Sequence, residues 1–329
     1  MVRANFMAVN YNASHTSVWT FMKTAAAWLE HCAEEMGRAG LFFGHGTDNA
    51  HDEAAWLVLH VLDAPLDGSF VDWDVLLTND QQKSVNHLLK RRIDERYPLA
   101  YLTGWARFCG LDFVVTPDVL VPRSPLAELI TTRFSPWLNM EPDHNGQGRA
   151  LDMCTGGGCI ATAMAVYMPE VIVDAVDISC AALEIALANM QRHKVAERCN
   201  LMQSDLFSVL ETTRYDLIVS NPPYVSAAVF EQLPAEYHAE PSVGLVSGED
   251  GLDIVLKILD ASPAWLKQRG ILVVEVGESA QSLIDLLPTV PFLWLEFHHG
   301  GDGIFLLEYD QLIACHDDVR TVLEQRKNV

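Results

Sequence analysis

Ala150-Leu151-Asp152-Met153-Cys154-Thr155-Gly156-Gly157-Gly158-Cys159-Ile160-Ala161-Thr162-Ala163-Met164-Ala165 is the stretch on which the fold turns. Ala150 to Cys154 reads as a short buried strand, Thr155 to Cys159 as a tight turn, and Ile160 to Ala165 as the opening of a helix. Strand, glycine turn and helix together make a nucleotide-type site, because glycines let the backbone approach a ligand where a Cβ would intrude. A second apolar strand, Val171 to Val176, ends in Asp177, roughly 25 residues beyond the first strand. An acid at that strand end accepts both hydroxyls of a ribose; the plainer reading is a cap for the helix beginning near Ser179. A third strand, Cys199 to Gln203, leads into Ser204-Asp205-Leu206-Phe207. There Asp205 is a candidate acceptor for an adenine amine and Leu206 a candidate surface for the ring, with a helix cap again the plainer reading of Asp205.

The fourth strand, Tyr215 to Ser220, delivers Asn221-Pro222-Pro223-Tyr224. A planar nitrogen, in an amide or an exocyclic base amine, has its lone pair drawn into a π system. It must therefore be held by its N–H groups and aimed. The Asn221 side-chain carbonyl and the Pro222 backbone carbonyl supply two acceptors, the prolines stiffen the loop, and Tyr224 offers a face to a flat group. A simple turn after a strand is the competing reading of Asn-Pro. All four candidate loops stand at strand C-terminal ends, where open α/β sheets bind ligands.

Thr155-Gly156-Gly157-Gly158 lacks the G-x-G-x-x-G spacing that seats a pyrophosphate on a helix N-terminus. A donor without a phosphate cradle, S-adenosylmethionine, suits it better. The candidate donor-binding residues are Asp152, Cys154, Thr155, Gly156, Gly157, Gly158, Asp177, Ile178, Asp205 and Leu206, with Asn221 shared; the candidate catalytic residues are Asn221, Pro222, Pro223 and Tyr224.

From about Tyr97 to Tyr309 the chain resembles the protein-glutamine N5-methyltransferases, the HemK/PrmB family. Four segments carry the resemblance: Pro98 to Gly104, Thr116 to Arg123, the glycine turn, and Asn221-Pro222-Pro223-Tyr224. The last is shared with adenine methyltransferases acting on DNA and alone does not choose a substrate. Where the release-factor branch follows Pro-Arg with Pro-Glu-Thr, this chain has Pro122-Arg123-Ser124-Pro125-Leu126. That looks like the branch acting on ribosomal protein L-three of the large subunit, and Cys154 and Leu206 point the same way.

The resemblance implies an α/β fold: a seven-stranded Rossmann-like class I S-adenosylmethionine-dependent methyltransferase domain behind a small helical domain. It also implies methylation of a glutamine side-chain amide in ribosomal protein L-three, free or within an assembly intermediate. Transfer would be direct, with the amide nitrogen attacking in line. The alternatives are a release-factor glutamine methyltransferase, an adenine methyltransferase on nucleic acid, and a non-enzymatic ribosome-assembly factor.

Composition agrees with such an enzyme. The 329 residues are half hydrophobic, enough for a sizeable core beyond one ordinary domain. A formal charge of −22 disfavours nucleic acid as the primary ligand, whose affinity rests on Lys and Arg, and would draw a basic ribosomal protein; plain solubility is the bland account. No run of about 18 apolar residues and no signal-peptide core is present, so a cytoplasmic protein without membrane contact is expected. Seven cysteines without a Cys-x-x-Cys pair read as reduced thiols, and Cys154 and Cys159 as packing residues. His298-His299 lacks metal-ligand spacing, because adjacent strand side chains diverge, and no G-x-S-x-G elbow occurs. No metal site is expected.

The expected organisation is an N-terminal helical domain over 1–105, to which the resemblance gives substrate recognition and for which a purely structural lid is the alternative, then a hairpin linker over 106–123 and a catalytic domain over 124–329 with a helical tail. Helical spacing appears at Val18, Phe21, Met22, Ala25, Leu29 and Cys32, again at Ala54, Leu57, Val58, Val61 and Leu62 after a cap at Asp48, and from Asp80 to Arg96. Phe108 to Val121 alternates as a hairpin. Glu141 to Gly148 reads as a surface loop, and the long stretch Val225 to Asp250 as a substrate lid. Strands are expected at Ile271–Val276, near Phe292–Phe297 and at Ile304–Tyr309, with a terminal helix after Gln311.

Overall fold

A computed structural model describes residues 24–140, 146–211, 213–298 and 300–327. Val18, Phe21, Met22 and His299, like most of the Glu141–Gly148 loop, lie outside the described residues.

Helices open the chain: α1 (Ala25–Arg38), α2 (Ala50–Val61), α3 (Asn79–Asp94) and the short α4 (Leu99–Thr103). Each of the first three starts on a polar cap that accepts an otherwise orphaned backbone N–H. Thr24 accepts from Ala27, Asn49 from Asp52, and Thr78 forms a reciprocal box with Gln81. The cap of α2 is thus Asn49 rather than Asp48, whose carboxylate accepts from the Asn49 side chain instead. The apolar faces close on Trp28, Met36, Leu57, Val58, Val85 and Leu99. Truncating a residue as buried as Leu57 costs about 2–5 kcal/mol.

A two-stranded hairpin follows, β1 (Trp105–Phe108) paired antiparallel with β2 (Leu111–Val114). It is shorter than its alternation suggests and begins three residues earlier. Val115, Val119 and Val121 leave the ladder because they are buried in the helical cluster instead. α5 (Leu126–Thr131) then leads to β3 (Gly148–Met153), α6 (Cys159–Tyr167), β4 (Val171–Asp177), α7 (Cys180–Arg192), β5 (Cys199–Gln203) and β6 (Tyr215–Ser220). The remainder is α8 (Ala227–Phe230), α9 (Asp253–Trp265), β7 (Leu266–Glu275), α10 (Ala280–Leu286), β8 (Leu293–Trp294), β9 (Ile304–Glu308) and α11 (Tyr309–Lys327).

The large sheet has seven strands in the order β5-β4-β3-β6-β7-β9-β8. β3 to β7 run parallel, and β9 is inserted antiparallel between β7 and β8. Parallel strands are covered on both faces, which is why they read as nearly continuous apolar runs. One face packs on a cluster containing Ile160, Met164 and Phe134, the other on one containing Val255, Leu259 and Leu312. Strand order reverses between β3 and β6, and the crevice outside their C-terminal ends is the place for a ligand. Among the described residues, no helix is long and apolar enough to cross a membrane.

Candidate functional site

A cleft of about 270 Å³ opens at that reversal point. The first wall comes from β3. Its last residue, Met153, pairs with Val176 of β4 and Ser220 of β6, so the loops that follow all three strands converge. Cys154 takes a left-handed backbone (φ 61°) and Thr155 N donates to Val176 O, which bends the chain into the glycine turn. Beneath it sits Asp152, fully buried. Its Oδ2 accepts from Thr155 Oγ1 at 2.6 Å and from Ala161 N at 3.0 Å, tying turn to helix α6. Burial pushes the Asp152 carboxyl up to about 7, against those two hydrogen bonds.

Asp177 ends β4 at the cleft edge. Its Oδ2 accepts from Gly156 N at 2.8 Å and its Oδ1 from Ser179 N at 2.9 Å. Burial raises its carboxyl and those amides oppose the rise. A carboxylate offers about four acceptor directions, so two remain for a ligand. Next to it Ile178 is 55% exposed, an apolar side chain at the mouth of a site. Asp205 and Leu206 follow the end of the neighbouring strand β5 and border the same cleft. A Cβ built on Gly156 meets nothing within 4 Å, so the space above the turn is open.

The other wall carries the Asn-Pro-Pro-Tyr loop. Asn221, Pro223 and Tyr224 line the cleft. Ser279 Oγ donates to Tyr224 O at 2.7 Å, and the Tyr224 hydroxyl donates to Glu275 Oε1 at 3.2 Å. Opposite runs the segment Asp118 to Ser124, and Val119 packs against the position above Gly157.

Three residues from the sequence-derived set do not line the cleft. Asp152 is sealed under the turn, as described above. Gly158 faces α7, where a Cβ would come within 2.8 Å of Ala186 Cβ, so it is a packing glycine. Pro222 is buried behind the loop. The cleft brings together Cys154, Thr155, Gly156, Gly157, Asp177, Ile178, Asp205, Leu206, Asn221, Pro223 and Tyr224. Burial raises the thiols of Cys154 and Cys159, which makes both poor nucleophiles.

Pro241 and Val243 to Val246, within the stretch expected to be a substrate lid, also line the cleft, and sequence reasoning missed Glu275, which does so too. It also missed how the stretch from Val225 to Asp250 is held. This is a folded lobe, closed at its base by Val225 N to Leu245 O and Ser247 N to Val225 O. Glu236 reaches Arg92 Nη1 of α3 at 3.1 Å, beside Glu53 at 2.5 Å from Arg92 Nε, all three buried. Glu240 is gripped bidentately by Arg123, both bonds 2.7 Å, and accepts from Val121 N at 2.9 Å. Burial works to raise the Glu240 carboxyl, but Arg123 and the adjacent His45 hold it down to about 2. Pairing of this kind spans more than a hundred residues of sequence, so local pattern gives no hint of it. Among the described residues no group of three His, Cys, Asp or Glu side chains is placed to hold a metal.

A parallel sheet with an inserted antiparallel strand, a glycine turn open to ligand and an acid at the end of the next strand define a class I S-adenosylmethionine-dependent methyltransferase. Residues 137–236 match the methyltransferase small domain model, and residues 38–104 match the PrmC N-terminal domain model. The chain belongs to the ribosomal protein uL3 glutamine methyltransferase family. It is 47% identical over 305 residues to the ribosomal protein uL3 glutamine methyltransferase of Xylella fastidiosa strain 9a5c, covering 93% of this chain and 96% of that protein. Identity to the protein of that name from Xanthomonas campestris pv. campestris is 49% over 286 residues, 87% of this chain and 91% of the other. Among solved structures, the hMettl16 catalytic domain in complex with MAT2A 3'UTR hairpin 1 superposes with a TM-score of 0.51 at 14% identity, covering 87% of this chain and 91% of that one. That likeness is one of fold alone.

Proposed function

We propose that this chain methylates a glutamine side-chain amide of ribosomal protein uL3, presented free or within an assembly intermediate in the cytoplasm. The observation that carries the reading is the shared cleft: the Asn-Pro-Pro-Tyr loop and the Gly156–Asp177 corner face one space. S-adenosylmethionine bound in that space supplies an electrophilic methyl group. Thr155, Gly156 and Gly157 would border it, Asp177 would take its ribose hydroxyls, and Ile178, Asp205 and Leu206 would receive its adenine.

The chain's own task is orientation. Asn221 Oδ1, which borders the cleft, accepts one amide N–H group of the target, and the Pro222 carbonyl, turned outward as the target binds, accepts the other; this holds the amide plane and leaves the face of its nitrogen toward the methyl. Tyr224 packs on that plane. Orientation of this sort is worth up to about 7–11 kcal/mol, and the two acceptors strengthen their hold as the N–H groups become more acidic. No strong base is required, since the nitrogen releases its proton readily once methylated.

We assign substrate recognition to residues 1–105, joined through 106–123 to the catalytic part over 124–329. The match to the PrmC N-terminal domain model and the acidic balance of the chain support a basic protein partner over nucleic acid.

The test is radiolabelled methyl transfer to unmethylated uL3, a release factor and DNA side by side, with mass spectrometry of the product. Label on a glutamine of uL3 is the expected result. Label confined to the release factor or DNA overturns the substrate assignment. Asn221→Ala is expected to remove turnover by a factor of about 100 or more while leaving donor affinity within about threefold. Lost donor binding with normal residual turnover would contradict the role given to Asn221.

A further inference from the structure

Glu275 ends β7 beside the target loop, because β6 and β7 are parallel neighbours that bring Ser220 opposite Val274. Its side chain is 5% exposed yet borders the cleft. One oxygen accepts from Ser124 Oγ at 2.5 Å and the other from the Tyr224 hydroxyl at 3.2 Å. Ser124 Oγ in turn accepts from Leu126 N at 3.1 Å, at the start of α5. Both donors to Glu275 belong to residues that line the cleft, and they come from opposite walls of it.

A buried carboxylate is costly unless its acceptor sites are filled, and replacing it with an apolar residue would serve packing equally well. What an apolar residue cannot do is anchor a phenol hydroxyl. The rest of Tyr224 is held by sterics and backbone: Ser279 fixes its carbonyl, and a Cβ on Gly277 would come within 2.7 Å of its ring. The hydroxyl is the remaining degree of freedom, and Glu275 fixes it.

We infer that Glu275 is a positioning residue, acting through Tyr224: bridged to Ser124, it anchors the phenol oxygen and so fixes where the tip of the ring lies against the target amide. This rests on the glutamine-methylation reading. Ser124 sets which way the carboxylate faces, so the segment before α5 and the target loop share one hydrogen-bonded bridge across the cleft. The contribution belongs to alignment in the transition state rather than to affinity for either substrate.

The experiment combines steady-state kinetics on uL3 with hydrogen–deuterium exchange in the S-adenosylhomocysteine complex, for Glu275→Gln, Tyr224→Phe, their double variant and Ser124→Ala. Glu275→Gln and Tyr224→Phe are each expected to lower kcat by about 10–100-fold with KM and donor Kd within about threefold, and the double variant to be no worse than the poorer single one. Exchange at the Tyr224, Val225 and Ser226 amides should rise in Glu275→Gln and in Ser124→Ala. Losses that multiply in the double variant, or Tyr224→Phe turning over like the parent, overturn the inference. So does a loss in Glu275→Gln that is matched by a fall in melting temperature and absent from Tyr224→Phe. The exchange arm needs no acceptor. If the parent enzyme labels none of the proteins offered, the glutamine reading fails while exchange still decides whether Glu275 holds the loop.

Discussion

Replacing Glu240 with glutamine keeps the shape of the side chain and removes its charge from a bidentate pair in which the carboxylate is buried and the Arg123 guanidinium partly so. The folded carboxyl is held at about 2, against an ordinary value of 4.5. At ~1.4 kcal/mol per pKa unit, this difference is worth about 3 kcal/mol at pH 7. An independent route, breaking a buried ion pair from one side, gives ~3–5 kcal/mol. Because the folded value lies below the unfolded one, the stabilisation is complete above pH 4.5 and drains away as pH falls toward 2. The penalty of Glu240→Gln should therefore shrink from about 3 kcal/mol at pH 7 to about 1 kcal/mol at pH 3. Urea unfolding of parent and variant, followed by tryptophan fluorescence at both pH values, measures it directly. An equal penalty at both pH values, or one below about 1 kcal/mol at pH 7, would refute the assignment of the pair as charged and tightly coupled.

Gly251→Ala should destabilise the fold by about 1–3 kcal/mol and slow turnover, since φ is +83° there and a Cβ would overlap the Tyr224 carbonyl oxygen. Denaturant midpoint and kcat measured together check this, and a silent substitution would show that the target loop tolerates displacement. Among the thiols, Cys180 is exposed, whereas burial pushes Cys32 and Cys109 up to about 12 and Cys199 up to about 11. A native-state thiol assay is expected to show one fast-reacting group per chain that disappears in Cys180→Ser; a fast group that persists places reactivity at another cysteine.

β3, β4 and β6 were legible because each is a buried apolar run bounded by a turn, whereas β5 is a partly exposed edge strand and β7 begins at Leu266, before the Ile271 expected, and runs through the polar stretch Lys267 to Gly270. β5 and β6 fall at Cys199–Gln203 and Tyr215–Ser220, as their sequence suggests. Residues at strand ends were legible for the same reason, and this put Asp177, Asp205 and Asn221 on one cleft. Asp152, Gly158 and Pro222 do not border the cleft: an acid beside a glycine turn can hold the turn or the ligand, and a glycine can serve ligand approach or helix packing, uses that look alike in sequence. Burial distinguishes them and sequence spacing does not. The Val225–Asp250 stretch looks like a lid because it lacks long periodic elements. Its order comes from Arg92 and Arg123, residues far upstream whose pairing with Glu236 and Glu240 leaves no local signature. Glu275 was missed because a carboxylate at the end of a buried strand carries no motif.

Those two upstream arginines have a consequence for how such an enzyme is rebuilt or diverges. The lobe after the target loop is bolted at Glu236 to the helical part and at Glu240 to the segment joining the two parts. The helical part and the lobe therefore do not come apart at a seam. A chimera that takes residues 24–105 from a relative lacking the arginine at position 92, while keeping this lobe, would strand the Glu236 carboxylate in a dry interior. Exchange of the helical part has to carry Val225–Asp250 along with it, as one heritable unit split across the chain.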